Sequence, residues 1–306
     1  MTASIQLIWG CDPERQFERA WVASLLQPLD VREARSDAAA AVSHEMPRLL
    51  VETGLLRLER QLDPQRLTLQ QEQRQHRLKQ IAKSGPFVLV HLSDEEGLDG
   101  DVLYPQLPNG TTVWRNFWYP RFDHQQRVLI RNFPIGPRRE FLGSGPGLLA
   151  SQRSFPWAFM GTLWRSGHRL LATSLFLSKL PQGHFFGGRH FGVGLPLAQY
   201  RQRLQDSVFA LCPEGDRHFD TFRLYESLQM GCLPLVVERQ QQAVTLLGPD
   251  FPLPIFPSWA VALAEVEALL KDPHQMDQLQ RQVSAWWVSR KAALGLRLRQ
   301  DLEEAR

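Results

Sequence analysis

The residues best suited to chemistry lie between positions 207 and 237, in SVFALCPEGDRHFDTFRLYESLQMGCLPLVV. This stretch reads as a buried strand, a polar loop, a helix with one isolated carboxylate and a second buried strand. Glu226 is that carboxylate, and its two oxygens suit the paired hydroxyls of a ribose; the bland alternative is an acid that faces solvent or pairs with Arg223. Arg223 offers several donors to phosphate oxygens near the helix N-terminus, where the backbone dipole also favours an anion. Its alternative is a structural ion pair. The strand ends near Cys212 and Pro213, which brings backbone groups of Pro213, Glu214 and Gly215 to the sheet edge, where they can bind a planar base.

A second cluster is GTLWRSGHR. Gly161 permits close approach after a strand, and Arg165, Ser166 and Arg169 can meet a diphosphate at the start of the next helix. A departing nucleoside diphosphate gains negative charge, which fixed arginines stabilise without a metal. Transfer to a hydroxyl also needs a base. Asp94, Glu95 and Glu96 follow the apolar run PFVLVHL, with Asp94 the first choice as base and a helix cap its alternative. His91 is a second candidate base, set against a satisfied core histidine. His184, His190 and His218 lack close ligand spacing, so no metal site is expected. Asp99, Gly100 and Asp101 form only a weak signal for a metal bridging to diphosphate.

The elements that must position these groups alternate. IQLIW reads as a strand, followed by a helix from near Pro13 whose apolar face is Phe17, Trp21, Val22 and Leu25. Residues 45 to 83 read as helical with an interruption at Pro64. PFVLVHL reads as a buried parallel strand whose end runs into acids, where an α/β sheet puts its working loops. The Pro- and Gly-rich tract from Gly136 to Pro156 is the best lobe boundary. The expectation is therefore an α/β, GT-B-like protein of two Rossmann-like lobes with an interlobe cleft and a C-terminal helix. The lobes are placed at 1–136 on the acceptor side and 155–272 on the nucleotide-sugar side, with 137–154 as linker and 273–306 as a helix returning to the first lobe.

The chain has 306 residues, 43% of them hydrophobic, enough for a sizeable core. Its 35 Lys and Arg against 32 Asp and Glu give only +3, so nucleic acid is not expected as a partner. No run approaches the roughly 18 apolar residues of a membrane span, and no basic and apolar leader opens the chain. The expected location is cytoplasmic, compatible with attachment beside a membrane-linked glycan pathway. Cys11, Cys212 and Cys232 are widely spaced and read as buried structural thiols.

FALCPEGDRHFDTFRLYESLQMGCLPLVV resembles the exostosin-like glycosyltransferases, and FMGTLWRSGHR and VLIRNFPIG extend the likeness over roughly 127 to 258. The resemblance implies a two-lobed glycosyltransferase of the B type, inverting and metal-independent. It implies a UDP-sugar or GDP-sugar donor held mainly by the second lobe, and a glycan or glycoside acceptor. It assigns Glu226 to the ribose, and Arg223, Arg165 and Arg169 to the basic positions. Thr221 and Phe222 depart from the serine-rich approach frequent there. The expected function is sugar transfer from a nucleotide donor with no required cofactor. The alternative is a non-catalytic carbohydrate-binding protein using aromatics near Trp114, Trp118 and Tyr119.

Overall fold

The computed structural model describes residues 4–35, 46–56, 64–124, 127–163, 167–188, 190, 193–215, 217–238 and 242–305. The chain forms two compact units, Met1–Ile135 with Lys291–Arg306, and Gly136–Arg290.

In the first unit, β1 (Ser4–Trp9), β2 (Asp30–Arg35), β3 (Arg48–Thr53), β4 (Val88–Leu92), β5 (Thr112–Arg115) and β6 (Leu129–Asn132) form one sheet in the order β2-β1-β3-β4-β5-β6. Every pairing is parallel. The central strands carry unbroken apolar runs, Leu49 to Val51 and Val88 to Val90, all buried. A parallel sheet covered on both faces requires such runs. Helices α1 (Arg19–Leu26), α2 (Pro64–Ala82) and α3 (Leu98–Leu103) belong to this unit. Leu78 and Ile81 of α2 share a core with Phe87, Leu89, Tyr104 and Phe122.

Several expectations need correction. The segment 45–83 is not helical throughout, because Arg48–Thr53 is a strand. Pro64 opens α2 instead of interrupting it, since the first helical position needs no N–H. Helix α1 begins at Arg19, after a 3-10 turn over Pro13–Arg15. Trp21, Val22 and Leu25 are buried as the periodicity predicts, but Phe17 precedes the helix and is exposed.

In the second unit, β7 (Phe155–Thr162), β8 (His184–Gly188), β9 (Ser207–Leu211) and β10 (Leu233–Leu235) form a parallel sheet in the order β10-β9-β7-β8. Helices α4 (His168–Lys179), α5 (Leu197–Gln205), α6 (Phe222–Gln229), α7 (Gln242–Leu247) and α8 (Trp259–Leu269) complete it. Because β7 and β9 run the same way, the loops after Thr162 and Leu211 leave one edge of the sheet. That edge receives both clusters singled out in the sequence. At the opposite end of this sheet, where β7 and β9 begin, buried Arg153 donates to the carbonyls of Leu204, Ser207 and Met230 at 3.1, 2.8 and 3.0 Å.

Helix α9 (Pro273–Glu304) contributes its final residues to the first unit. There Asp301 is buried and accepts from Trp114 Nε1 at 2.8 Å and from Arg131 at 2.6 and 3.0 Å. Trp114 is thus a core residue, which removes it from any sugar-stacking surface.

Candidate active-site edges

Helix α6 is buried along nearly its whole length, with Leu224, Tyr225 and Leu228 packed inside. Arg223 is carried inward with them and is 8% exposed. Its Cζ lies 4.4 Å from the centroid of Phe159, and its Nε donates to the Met160 carbonyl at 3.3 Å. Gly161 makes room for the guanidinium, because a β-carbon there would overlap Arg223 Nη2. Nη1 is buried and has no hydrogen-bond partner among the described residues. Thr221 Oγ1, at the N-cap of α6, is likewise buried and unpartnered. Unused buried donors cost free energy unless a ligand takes them, and a guanidinium at a helix N-terminus calls for an anion.

Glu226 lies one turn further along α6 and is 1% exposed. It neither faces solvent nor pairs with Arg223. One oxygen accepts from Arg138 Nε and the other from the Tyr200 hydroxyl at 2.8 Å. Burial works against the Arg138 charge, but the Glu226 carboxylate outweighs it and holds the guanidinium above its ordinary value. The Tyr200 phenol is pushed well up, first by burial and then by the Glu226 charge. Among the described residues each carboxylate oxygen retains an unused lone pair, the capacity a ribose diol would require.

Arg169 ties the two loops together, donating to the Thr162 carbonyl at 2.8 Å and the Glu214 carbonyl at 2.9 Å. Arg165 lies outside the described residues, as does Ser166. Cys212 is buried, its thiol against the Ala210 carbonyl and the Ser227 hydroxyl, and burial pushes its pKa up to about 11. Its amide is used by the Leu235 carbonyl, and the Gly215 amide by the His218 carbonyl, so neither donates towards a base. Pro213 and Glu214 instead line a pocket of about 320 Å³, walled by His168, Leu171, Val237 and Trp259. Its size and mixed lining suit a planar base.

At the carboxyl edge of the first sheet, Asp94 is buried and caps α3. One oxygen accepts from the Asp99 amide at 3.1 Å, and the other from the Gly100 amide at 2.9 Å and Arg115 Nη1 at 3.4 Å. Arg115 also holds the Asp94 carbonyl at 2.9 Å. The carboxylate is fixed in direction while, among the described residues, its first oxygen keeps a free lone pair. Ser93 just before it has a φ of 60°, a left-handed conformation that non-glycine residues rarely adopt. Gly54 at the neighbouring strand end is packed against it, since a β-carbon there would stand 2.9 Å from Asp94 Cα.

His91 is fully buried, with Nδ1 2.9 Å from the Tyr104 hydroxyl and Nε2 3.0 Å from Asp99. Both ring nitrogens are used, so the imidazole has no site for a substrate proton. Glu95 sits beside Asp94 and its carbonyl accepts from the Tyr119 hydroxyl at 2.5 Å. Asp99 is not available to a metal either, because Arg74 grips it with two donors at 2.5 and 2.9 Å. Among the described residues, no group of three His, Cys, Asp or Glu is arranged around a common metal position. No described helix is long and apolar enough to cross a membrane.

No protein-family description matches the chain, nor does any curated protein. Solved structures do match it. A crystal structure of the DNA-modifying enzyme β-glucosyltransferase superposes with a TM-score of 0.53 at 12% identity, covering 98% of this chain and 99% of that one. T4 phage β-glucosyltransferase with its substrate UDP-glucose gives 0.50, and a mutant of it with UDP-glucose gives 0.52, at the same identity and coverage. The chain has a GT-B-like fold.

Two expectations fall with this finding. The likeness to exostosin-like enzymes is not supported, since the fold matches the phage β-glucosyltransferase and no family match accompanies it. The quoted stretch spells a parallel strand, loop, helix and strand, which many lobes of this architecture need. The exclusion of nucleic acid is also overturned, because a structure with this fold belongs to a DNA-modifying enzyme. A net charge is an average over the surface and carries little about a local binding face.

Sequence reading missed Arg138, Tyr200, Arg74 and Arg115. Arg138 and Tyr200 stand far from Glu226 in sequence, and the only hint of Arg138 was its position in PRRE at the lobe boundary.

Proposed function

We propose that the chain is an inverting glycosyltransferase that moves a sugar from a nucleoside-diphosphate donor to a hydroxyl of a DNA acceptor. The donor class and the acceptor are those printed for the solved structures that share the fold, which bind UDP-glucose and modify DNA. The observation that carries the reading is the unpartnered Nη1 of buried Arg223 beside the N-terminus of α6. Arg223 takes the diphosphate, Arg169 braces the loops around it, Glu226 takes the ribose, and the Pro213–Glu214 pocket takes the base. Arg165 is proposed for the phosphates on its sequence position alone.

In the proposed step, the acceptor oxygen attacks the anomeric carbon as the bond from that carbon to the diphosphate breaks. Asp94 takes the acceptor proton. The nucleoside diphosphate leaves with the bonding pair, and Arg223 stabilises the added charge. Attack opposite the leaving group inverts the anomeric carbon. The amides of α3 fix the direction of the Asp94 carboxylate, and such pre-organisation is what a base in a single displacement requires.

The test is calorimetric titration of the protein with UDP and UDP-glucose, followed by measurement of UDP release with duplex DNA as acceptor. Saturable binding that Arg223→Met abolishes is expected. Absence of binding to every nucleoside diphosphate would reject the reading.

A further inference from the structure

Arg115, at the end of β5, is fully buried and reaches Asp94 twice: Nη1 lies 3.4 Å from the carboxylate, and Nη2 donates to the Asp94 carbonyl at 2.9 Å. Its Nε donates to the Asn116 carbonyl at 3.0 Å, and its Cζ lies 4.0 Å from the ring centroid of Phe122. The contact from Nη1 to the carboxylate is long for an N–H···O bond and holds the guanidinium only loosely. A shorter bond from the same nitrogen runs to the Tyr104 hydroxyl at 3.1 Å. Tyr104 is fully buried and follows α3 directly. Its hydroxyl also lies 2.9 Å from His91 Nδ1, while His91 Nε2 lies 3.0 Å from Asp99, which Arg74 holds.

The roles along this chain follow from its ends. The Asp99 carboxylate, paired with Arg74, can only accept, so Nε2 of His91 donates to it. In the neutral imidazole Nδ1 then accepts from the Tyr104 hydroxyl, whose oxygen accepts in turn from Arg115 Nη1. Burial pushes the Tyr104 phenol up, so it keeps the proton this role needs. Asp94 is therefore braced from both ends of α3. The Asp99 and Gly100 amides bind its two oxygens, and the residue after the last turn holds the guanidinium beside it. Gly100 leaves the room for this, since a β-carbon there would stand 2.7 Å from Arg115 Nη1 and 2.9 Å from Tyr104 Cε2.

We propose that Tyr104 is a positioning residue for sugar transfer, whose hydroxyl acts through Arg115 to set the rotation of the Asp94 carboxylate. This rests on the reading of Asp94 as the base and deepens it. Oδ2 takes both the Gly100 amide and Arg115, whereas Oδ1 takes the Asp99 amide alone among the described residues. Oδ1 is thereby the oxygen presented to the acceptor. Tyr104 itself touches neither substrate, and a small misdirection of a base lowers the rate without loosening the substrates.

The experiment is a double-mutant cycle between Tyr104→Phe and Asp94→Asn. UDP release from UDP-glucose with duplex DNA, UDP affinity and unfolding in denaturant are measured on all four proteins. Tyr104→Phe keeps the ring against His91 and Phe122 and removes only the hydroxyl. Expected in the parent background is about a tenfold fall in kcat with KM and UDP affinity unchanged. In the Asp94→Asn background no further fall is expected. Gly100→Ala, which presses on the same guanidinium while keeping its amide, is expected to repeat this pattern and decides the matter should Tyr104→Phe not fold. An unchanged kcat would overturn the proposal, and so would an equal fall in both backgrounds, which marks a purely structural hydroxyl. Failure of the base reading looks different: Asp94→Asn then turns over like the parent, or no protein releases UDP. The unfolding cycle decides in that case, since additive free energies overturn the link through Arg115 and non-additive ones uphold it.

Discussion

Gly161 and Arg223 occupy the same small volume at the end of β7: the missing β-carbon of the one is the space taken by the guanidinium of the other. Replacing Gly161 with alanine displaces Arg223 from its seat over Phe159 without touching its charge. Nucleoside-diphosphate affinity is expected to fall by roughly tenfold to a hundredfold, the usual worth of a charge-assisted hydrogen bond. Titration calorimetry with UDP measures it, and an unchanged affinity would separate Arg223 from the phosphates.

Glu226→Ala leaves Arg138 and Tyr200 without their shared acceptor. The expected loss of stability is about 2 kcal/mol, below that of a fully buried ion pair because Arg138 reaches solvent. Nucleoside affinity is expected to fall with it. Tyr200→Phe removes only one hydrogen bond and should cost about 1 kcal/mol while leaving the carboxylate for the ribose. Chemical denaturation and UDP titration on both variants distinguish the two effects. Equal UDP affinity in Glu226→Ala and the parent would reject the ribose role.

Asp94→Asn keeps a hydrogen-bond acceptor at the start of α3 but loses the proton acceptor. Turnover is expected to drop about 10²- to 10⁴-fold with UDP affinity intact. Wild-type turnover in a folded variant would leave Asp94 as a helix cap alone.

The Asp99 carboxyl is buried, which by itself would raise its pKa, but hydrogen bonds from His91 and Arg74 and the charges of both outweigh burial and hold it low. An acid with a depressed folded value contributes stability that is present above its ordinary value of 3.8 and is lost as the pH falls below it. Arg74→Met is expected to cost about 3 kcal/mol at neutral pH, since it leaves a buried carboxylate with a weaker partner. It should also flatten the decline in melting temperature below about pH 4. A variant with the parent's acid profile would show that Arg74 contributes little to the Asp99 charge.

The alternation of parallel strands and helices was legible in the chain because buried strands need continuous apolar runs, as in SVFAL and PFVLV. RLLVET was misread because a short apolar run before a long Gln- and Arg-rich helix has no periodicity of its own to separate it. Glu226 and Arg223 stood out as lone charged residues in a helix framed by buried strands. Their surroundings could not be read in the same way. That Glu226 meets Arg138 across 88 positions, or that Arg74 meets Asp99 across 25, depends on how helices cover a sheet, which local spacing does not encode.

By itself the sequence determined a two-sheet α/β chain and the types of side chain that reach the strand ends, because these follow from hydrophobic patterning and turn residues. Only the tertiary structure decided which of those side chains are used up by one another. His91 closes a buried network, and Arg223 keeps a donor that has no partner among the described residues. The reason is physical: burial fixes the cost of a polar group, but its partner fixes whether that cost is met, and partners are brought together by packing across the fold.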